Sequence, residues 1–308
     1  METYIGHFSD ESGKRTYFEI IPQEILELIV VPLNNDDLEI LNKIINLNLN
    51  YPRMCGYRFG YNLCKNIDFR DYLRLLSIER LKEELNLGQS IEELLNIKVF
   101  NISNIKLTSI PKEIGSLHSL QNLYLSYNQL LIIPEEIGHL TSLHFLNLSG
   151  NELTSIPKEI GNLHFLQNLL LTDNYIKSIP EEIGNLKSLK YLDLSDNQVS
   201  SVPEEIGKLK FLQYLNLVNN QITSIPEEIG HLTSLQHLYL SYNQITSIPK
   251  EIGNLKSLQY LDLDNNKLTS IPKEIGNLRS LKYLKLSNTQ ITLIPKELDR
   301  IRNIIILN

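Results

Sequence analysis

From Ile97 onward the sequence repeats every 23 residues without a gap. Units begin at Ile97, Leu120, Leu143, Leu166, Leu189, Leu212, Leu235, Leu258 and Leu281, nine in all, with a stub beginning at Ile304. The shared pattern is LxxLxLxxNxLxxIPxEIGxLxx. A fixed period of this length marks a solenoid, whose units bury their apolar faces only by stacking on one another.

Each repeated position has a physical role. Alternation sends Leu261 and Leu263 to one face of a short strand and Asp262 to the other. With the leucines interior, successive strands pair into a parallel sheet. Asn holds the ninth position in seven units: Asn128, Asn151, Asn174, Asn197, Asn220, Asn243 and Asn266. A turn that leaves a buried strand carries backbone donors and acceptors away from water. An amide side chain satisfies both kinds. A ladder is therefore expected from Asn128 to Asn266, broken at both ends where Ile105 and Thr289 replace Asn. Pro begins a short helical turn, where its missing N–H costs nothing. The Glu two residues later lies in the first turn, where negative charge is favoured. Gly is expected to end the turn in the left-handed conformation. The last unit has Asp299 at that place, and atypical end units are expected of caps.

The pattern resembles the leucine-rich repeat family over residues 97–308. Its "IPxEIGxL" form is similar to the intracellular subclass of Ras-pathway scaffolds and bacterial repeat proteins. The resemblance implies an α/β solenoid, with parallel strands on a concave face and short helical turns on a convex one.

Residues 1–96 lack the period, and a small helical domain is expected there. Pro22 suits a helix start, and Ile25, Leu26, Ile29 and Val30 share a helical face. Leu38, Leu41, Ile44 and Ile45 fit a second helix, and Asp71–Asn86 a third. The spacing of Pro22, Glu24, Ile25, Leu26, Ile29, Leu33, Leu38 and Leu41 resembles the start of an F-box. That resemblance implies docking on the Skp-type adaptor of a cullin-type ubiquitin ligase. The Trp with which that family continues is missing, because this chain has no Trp. A plain cap over the first repeat strand accounts for the same residues, and one domain can do both.

Composition narrows the function. A formal charge of -7 argues against a nucleic-acid binder, which carries a basic stripe. No apolar run reaches the roughly 18 residues of a membrane-spanning helix. With only Cys55 and Cys64, the chain fits a reducing, cytoplasmic compartment better than a disulfide-stapled secreted one. Their spacing does not suit zinc, and the histidines scatter along the array. No GxxxxGK[ST] or GxGxxG cradles a phosphate. Hence no cofactor, no metal and no enzymatic activity are expected.

Specificity is expected at the outward strand positions. The third position becomes aromatic from Tyr191 onward, through Tyr214, His237, Tyr260 and Tyr283. The fifth adds Asp193, Tyr239 and Asp262. These eight residues form the expected partner-binding surface on the concave face, since Tyr is enriched at interface cores. Bracing of the sheet by cross-strand aromatic pairs, at about 0.2–1 kcal/mol each, accounts for the same column. The function expected is protein binding inside the cell. The chain would serve as a substrate receptor for a ubiquitin ligase, or as a signalling scaffold for a small GTPase or phosphatase.

Overall fold

The computed structural model describes residues 7–9, 15–17, 69–301 and 305–307. The chain divides into two units, Met1–Leu75 and Leu76–Asn308. In the first, β1 (His7–Ser9) pairs antiparallel with β2 (Arg15–Tyr17). This pairing is additional to the helices that the sequence predicts. The F-box-like residues from Pro22 to Leu41, and Cys55 and Cys64, lie outside the described residues.

Helix α1 (Phe69–Glu84) forms where the amphipathic stretch Asp71–Asn86 predicts one. Its Ile78 and Leu81 are fully buried in the core of the second unit. A short helix α2 (Ile91–Leu95) follows, fixed by a capping box. The Ser90 N–H donates to the Glu93 carboxylate at 2.7 Å, and the Glu93 N–H donates to Ser90 Oγ at 3.2 Å. Leu94 of α2 joins Ile78, Leu81 and Phe100 in the apolar cluster, so these helices close the start of the repeat core.

The repeats form one 10-stranded parallel sheet in chain order, from β3 (Val99–Asn101) to β12 (Ile305–Leu307). Strands are three residues long, and the middle residue points inward, as Leu192 does at 0% exposure. A five-residue 3₁₀ turn such as Lys158–Asn162 completes each coil. Pro157 stands just before that turn, and its carbonyl accepts the Ile160 N–H at 3.1 Å. Each coil is thus a strand, a turn and the apolar side chains between them.

The glycine of each turn differs from expectation. Gly150 is the one glycine with left-handed φ among the described residues, and it is not a turn-ending glycine. At Gly161 a Cβ would sit 2.7 Å from the carbonyl oxygen of Glu182 in the next coil. Close stacking of coils, and not φ, excludes a side chain there. The left-handed residue lies instead at the eighth position, beyond the strand. Asn104, Tyr127, Asp173, Asp196, Asn219, Tyr242, Asn265 and Asn288 all have φ between 53° and 57°.

The buried asparagines bond across coils. Asn151 Oδ1 accepts the Leu130 N–H at 3.1 Å, and its Nδ2 donates to the carbonyls of Leu125 and Leu148 at 3.0 and 2.9 Å. Each Asn therefore serves the preceding coil as well as its own. For this reason the first turn is not broken: Asn128 Oδ1 accepts the N–H groups of Ile105 and Leu107. The break lies at the other end, where Thr289 Oγ1 reaches only its own coil, at Leu286 O (2.8 Å).

The last strand is also shifted. Tyr283 pairs with Ile305 and Leu284 with Ile306, one residue short of the 23-residue period on which the stub would start at Ile304. The run Ile304–Leu307 is apolar throughout, so alternation does not fix its register.

Candidate interaction face

The inward leucines leave the third and fifth positions of each repeat unit on the opposite face of the sheet. Straight register then sets like beside like. Tyr191 of β7 (Tyr191–Asp193) lies opposite Tyr214 of β8 (Tyr214–Asn216). Their rings stack with centroids 4.1 Å apart and planes 6° off parallel. From Tyr214 the contact passes to Tyr239 at 5.2 Å, then to Tyr260 at 5.0 Å, then to Tyr283 at 5.7 Å. The rings thus zigzag between the two columns. His237 sits in register between Tyr214 and Tyr260, and its ring stacks on Tyr239 with centroids 6.2 Å apart. Its Nδ1 is buried without a hydrogen-bond partner among the described residues.

All eight residues picked from the sequence lie on this face, in strands β7 to β11 (Tyr283–Lys285). The six rings are contiguous, and the two aspartates sit beside them. Asp193 Oδ1 accepts from the Ser195 N–H at 3.0 Å and from Ser195 Oγ at 2.7 Å, and Oδ2 accepts from Asn216 Nδ2 at 3.2 Å. Asp262 Oδ2 lies 3.4 Å from Lys285 Nζ. That ammonium also stands 5.5 Å from the centre of the Tyr260 ring.

The environment shifts the ionisation of several groups here. Burial, first of all, raises the phenol pKa of Tyr191, Tyr214 and Tyr239, and neighbouring carboxylates add to it. Lys285 is held protonated above the usual lysine range, chiefly by its hydrogen bond with Tyr260 and then by Asp262. Burial pushes the Asp264 carboxyl up.

Sequence reasoning missed two groups here. Lys285 stood in the fifth-position column, but its partners in the neighbouring strand come only from register. The eighth-position polar row also bonds across coils, as in Asn219 Nδ2 to Asp196 Oδ1 at 2.8 Å and Asn288 Nδ2 to Asn265 Oδ1 at 3.0 Å. Its signal was the recurrence of Asn, Asp and Gly, the residues that tolerate left-handed φ. Among the described residues no group of three or more His, Cys, Asp or Glu side chains could hold a metal ion. No described helix is long and apolar enough to cross a membrane.

The sequence matches the family described as leucine-rich repeat region over residues 134–190 and 181–261. It matches the family described as leucine rich repeat over 96–153, 233–291 and 257–308. The chain belongs to the leucine-rich repeat family. A leucine-rich repeat protein of Leptospira interrogans is similar in structure, at 40% identity and a TM-score of 0.58, covering 70% of this chain and 62% of that one. The plant peptide hormone receptor RGFR1, in complex with RGF2, is 35% identical with a TM-score of 0.63, covering 67% of this chain and 35% of that chain. The leucine-rich repeat ectodomain of the receptor kinase GASSHO1/SCHENGEN3 from Arabidopsis thaliana, in complex with CASPARIAN STRIP INTEGRITY FACTOR 2, is 31% identical with a TM-score of 0.58. That match covers 72% of this chain and 30% of the other. This leucine-rich repeat chain thus spans 62% of the Leptospira protein and about a third of each plant receptor. A comparison with curated proteins gave no match. The leucine-rich repeat fold is generally a non-enzymatic, protein-interaction module.

Proposed function

We propose that the strand face from Tyr191 to Tyr283 binds an extended segment of a partner protein. The observation that carries this reading is the unbroken run of tyrosine rings, each still partly exposed. Bracing of the sheet does not require them. The same sheet position is held by Val99, Asn122 and Asn168 in earlier coils, and the pairing there is just as regular. A cluster of large aromatic side chains on one part of the strand face is the composition of an interface core. Two structural relatives, the receptors RGFR1 and GASSHO1/SCHENGEN3, are in complex with RGF2 and CASPARIAN STRIP INTEGRITY FACTOR 2, which supports a partner of this kind.

Fluorotyrosine labelling tests the reading. A binder selected from a random peptide library should shift the ¹⁹F resonances of Tyr191, Tyr214, Tyr239, Tyr260 and Tyr283. Shifts confined to Tyr127, Tyr175 and Tyr242, all exposed off this run of rings, would place the binding elsewhere.

A second reading concerns residues 1–96 and rests on the F-box-like spacing from Pro22 to Leu41. A chain that docks a Skp-type adaptor there and a target on the strand face is a substrate receptor for ubiquitination in the cytoplasm. A purified adaptor should bind the intact protein and should not bind a Pro22→Ala, Leu26→Ala double variant. If the intact protein fails to bind, the scaffold reading, with a small GTPase or phosphatase on the strand face, replaces it.

A further inference from the structure

The chain contains the same strand pair twice, with one difference. In β10 (Tyr260–Asp262) and β11, Tyr-Leu-Asp lies against Tyr-Leu-Lys, with Asp262 opposite Lys285. In β7 and β8, Tyr-Leu-Asp lies against Tyr-Leu-Asn, with Asp193 opposite Asn216. The first pair holds a cation of its own: Lys285 Nζ is 3.4 Å from Asp262 Oδ2 and 5.5 Å from the Tyr260 ring centre. Asp262 is only 6% exposed beneath it.

The second pair has the carboxylate and the rings without the cation. Asn216 donates to Asp193 Oδ2 at 3.2 Å but brings no charge. Asp193 stays partly exposed beside the stacked rings of Tyr191 and Tyr214. Asp173 and Asp196, both exposed in the eighth-position row, add negative charge on the same side. Of the nearby cations, the Lys190 ammonium is turned to Gln167 Oε1 at 3.1 Å.

We infer that the corner formed by Tyr191, Tyr214 and Asp193 receives an arginine or lysine side chain of the partner segment. This rests on the strand-face reading above and specifies its chemistry. A cation gains from the ring face, from a charge-assisted hydrogen bond to the carboxylate and from the surrounding acids. A guanidinium, planar and weakly hydrated, fits a stacked tyrosine pair better than an ammonium does.

Immobilised peptide libraries of random sequence, with the central residue fixed as Arg, Lys, citrulline or Glu, test the inference on the full chain. Citrulline keeps the shape of Arg and removes the charge. The wild-type chain should be retained about tenfold better on the Arg library than on the citrulline library. Asn216→Lys copies the arrangement at Lys285 and should fill the corner from within. It should lose the Arg preference with no loss of thermal stability. Lys285→Asn should expose a second corner and raise retention on the Arg library. Equal retention of wild type on Arg and citrulline libraries, or an Asn216→Lys chain that keeps the preference, overturns the inference. If retention is equal on all libraries but vanishes in Tyr214→Ala, the face binds without reading charge. Absence of retention on every library overturns both the inference and the strand-face reading.

Discussion

Asn197 Oδ1 accepts the N–H of Ile176, a residue of the preceding coil, at 3.0 Å. The Asn197 amide nitrogen donates to Leu171 O of that coil at 2.9 Å and to Leu194 O of its own at 3.1 Å. One side chain thus satisfies the turn groups of two coils. Replacing Asn197 by Leu leaves the buried Ile176 N–H unpaired, while Leu171 O and Leu194 O each lose one donor and keep Asn174 Nδ2 and Asn220 Nδ2. The expected cost is about 1–3 kcal/mol. A chemical-denaturation midpoint equal to that of the wild type would refute this role.

The far end of the ladder offers the opposite change. Thr289 does not reach the preceding coil, and the buried Leu268 N–H has no acceptor among the described residues. Thr289→Asn supplies that acceptor and should stabilise the protein by about 1 kcal/mol. Denaturant unfolding of the two proteins under identical conditions decides it. A destabilised Asn variant would show that the last coil does not stack like the others.

The turn glycines give a test between two physical causes. If close coil contact excludes a side chain, Gly161→Ala and Gly161→Asn should both destabilise, by about 1–3 kcal/mol, because Cβ meets Glu182 O. If left-handed backbone were the cause, Asn would be tolerated much better than Ala. Thermal melts of both variants should therefore fall together.

The fold was legible because a 23-residue period leaves few architectures, and because Leu192 or Asn197 must sit where its neighbours 23 residues away sit. Three features were not legible, each for a local reason. Gly161 has two possible causes that differ only in what the next coil brings near. The left-handed eighth position was hidden by Tyr127 and Tyr242, which share it with Asn, Asp and Gly. The register of β12 was misjudged because Ile304–Leu307 has no polar residue to mark a face. At the interaction face, the columns of Tyr191 and Tyr239 followed from alternation. The pairing of Lys285 with Asp262 and the Tyr260 ring needed the strand register.

The half-buried phenols predict a pH dependence. Tyr214, Tyr191 and Tyr239 have folded pKa values raised above the ordinary 10.0, mainly by burial. The folded state therefore holds these protons more tightly than the unfolded state. Their contribution to stability is fully present below about pH 10 and is lost as pH rises above it. Absorbance titration should show a late-ionising set of tyrosines, and Tyr214→Phe should remove part of it. Ionisation of every tyrosine in one step near pH 10 would contradict the packing of these rings.

The central claim is that the tyrosine run is a binding surface. Its most direct test is the affinity of a selected peptide, measured beside thermal stability on the same variants. Tyr214→Ala and Tyr260→Ala should each weaken binding by about 2 kcal/mol, roughly thirtyfold in Kd. Stability should fall by only about 0.2–1 kcal/mol for each lost pair. Lys158→Ala, on an exposed turn, should change neither. Tyrosine variants that bind like wild type and only melt earlier would contradict the claim and leave the rings as a brace of the sheet.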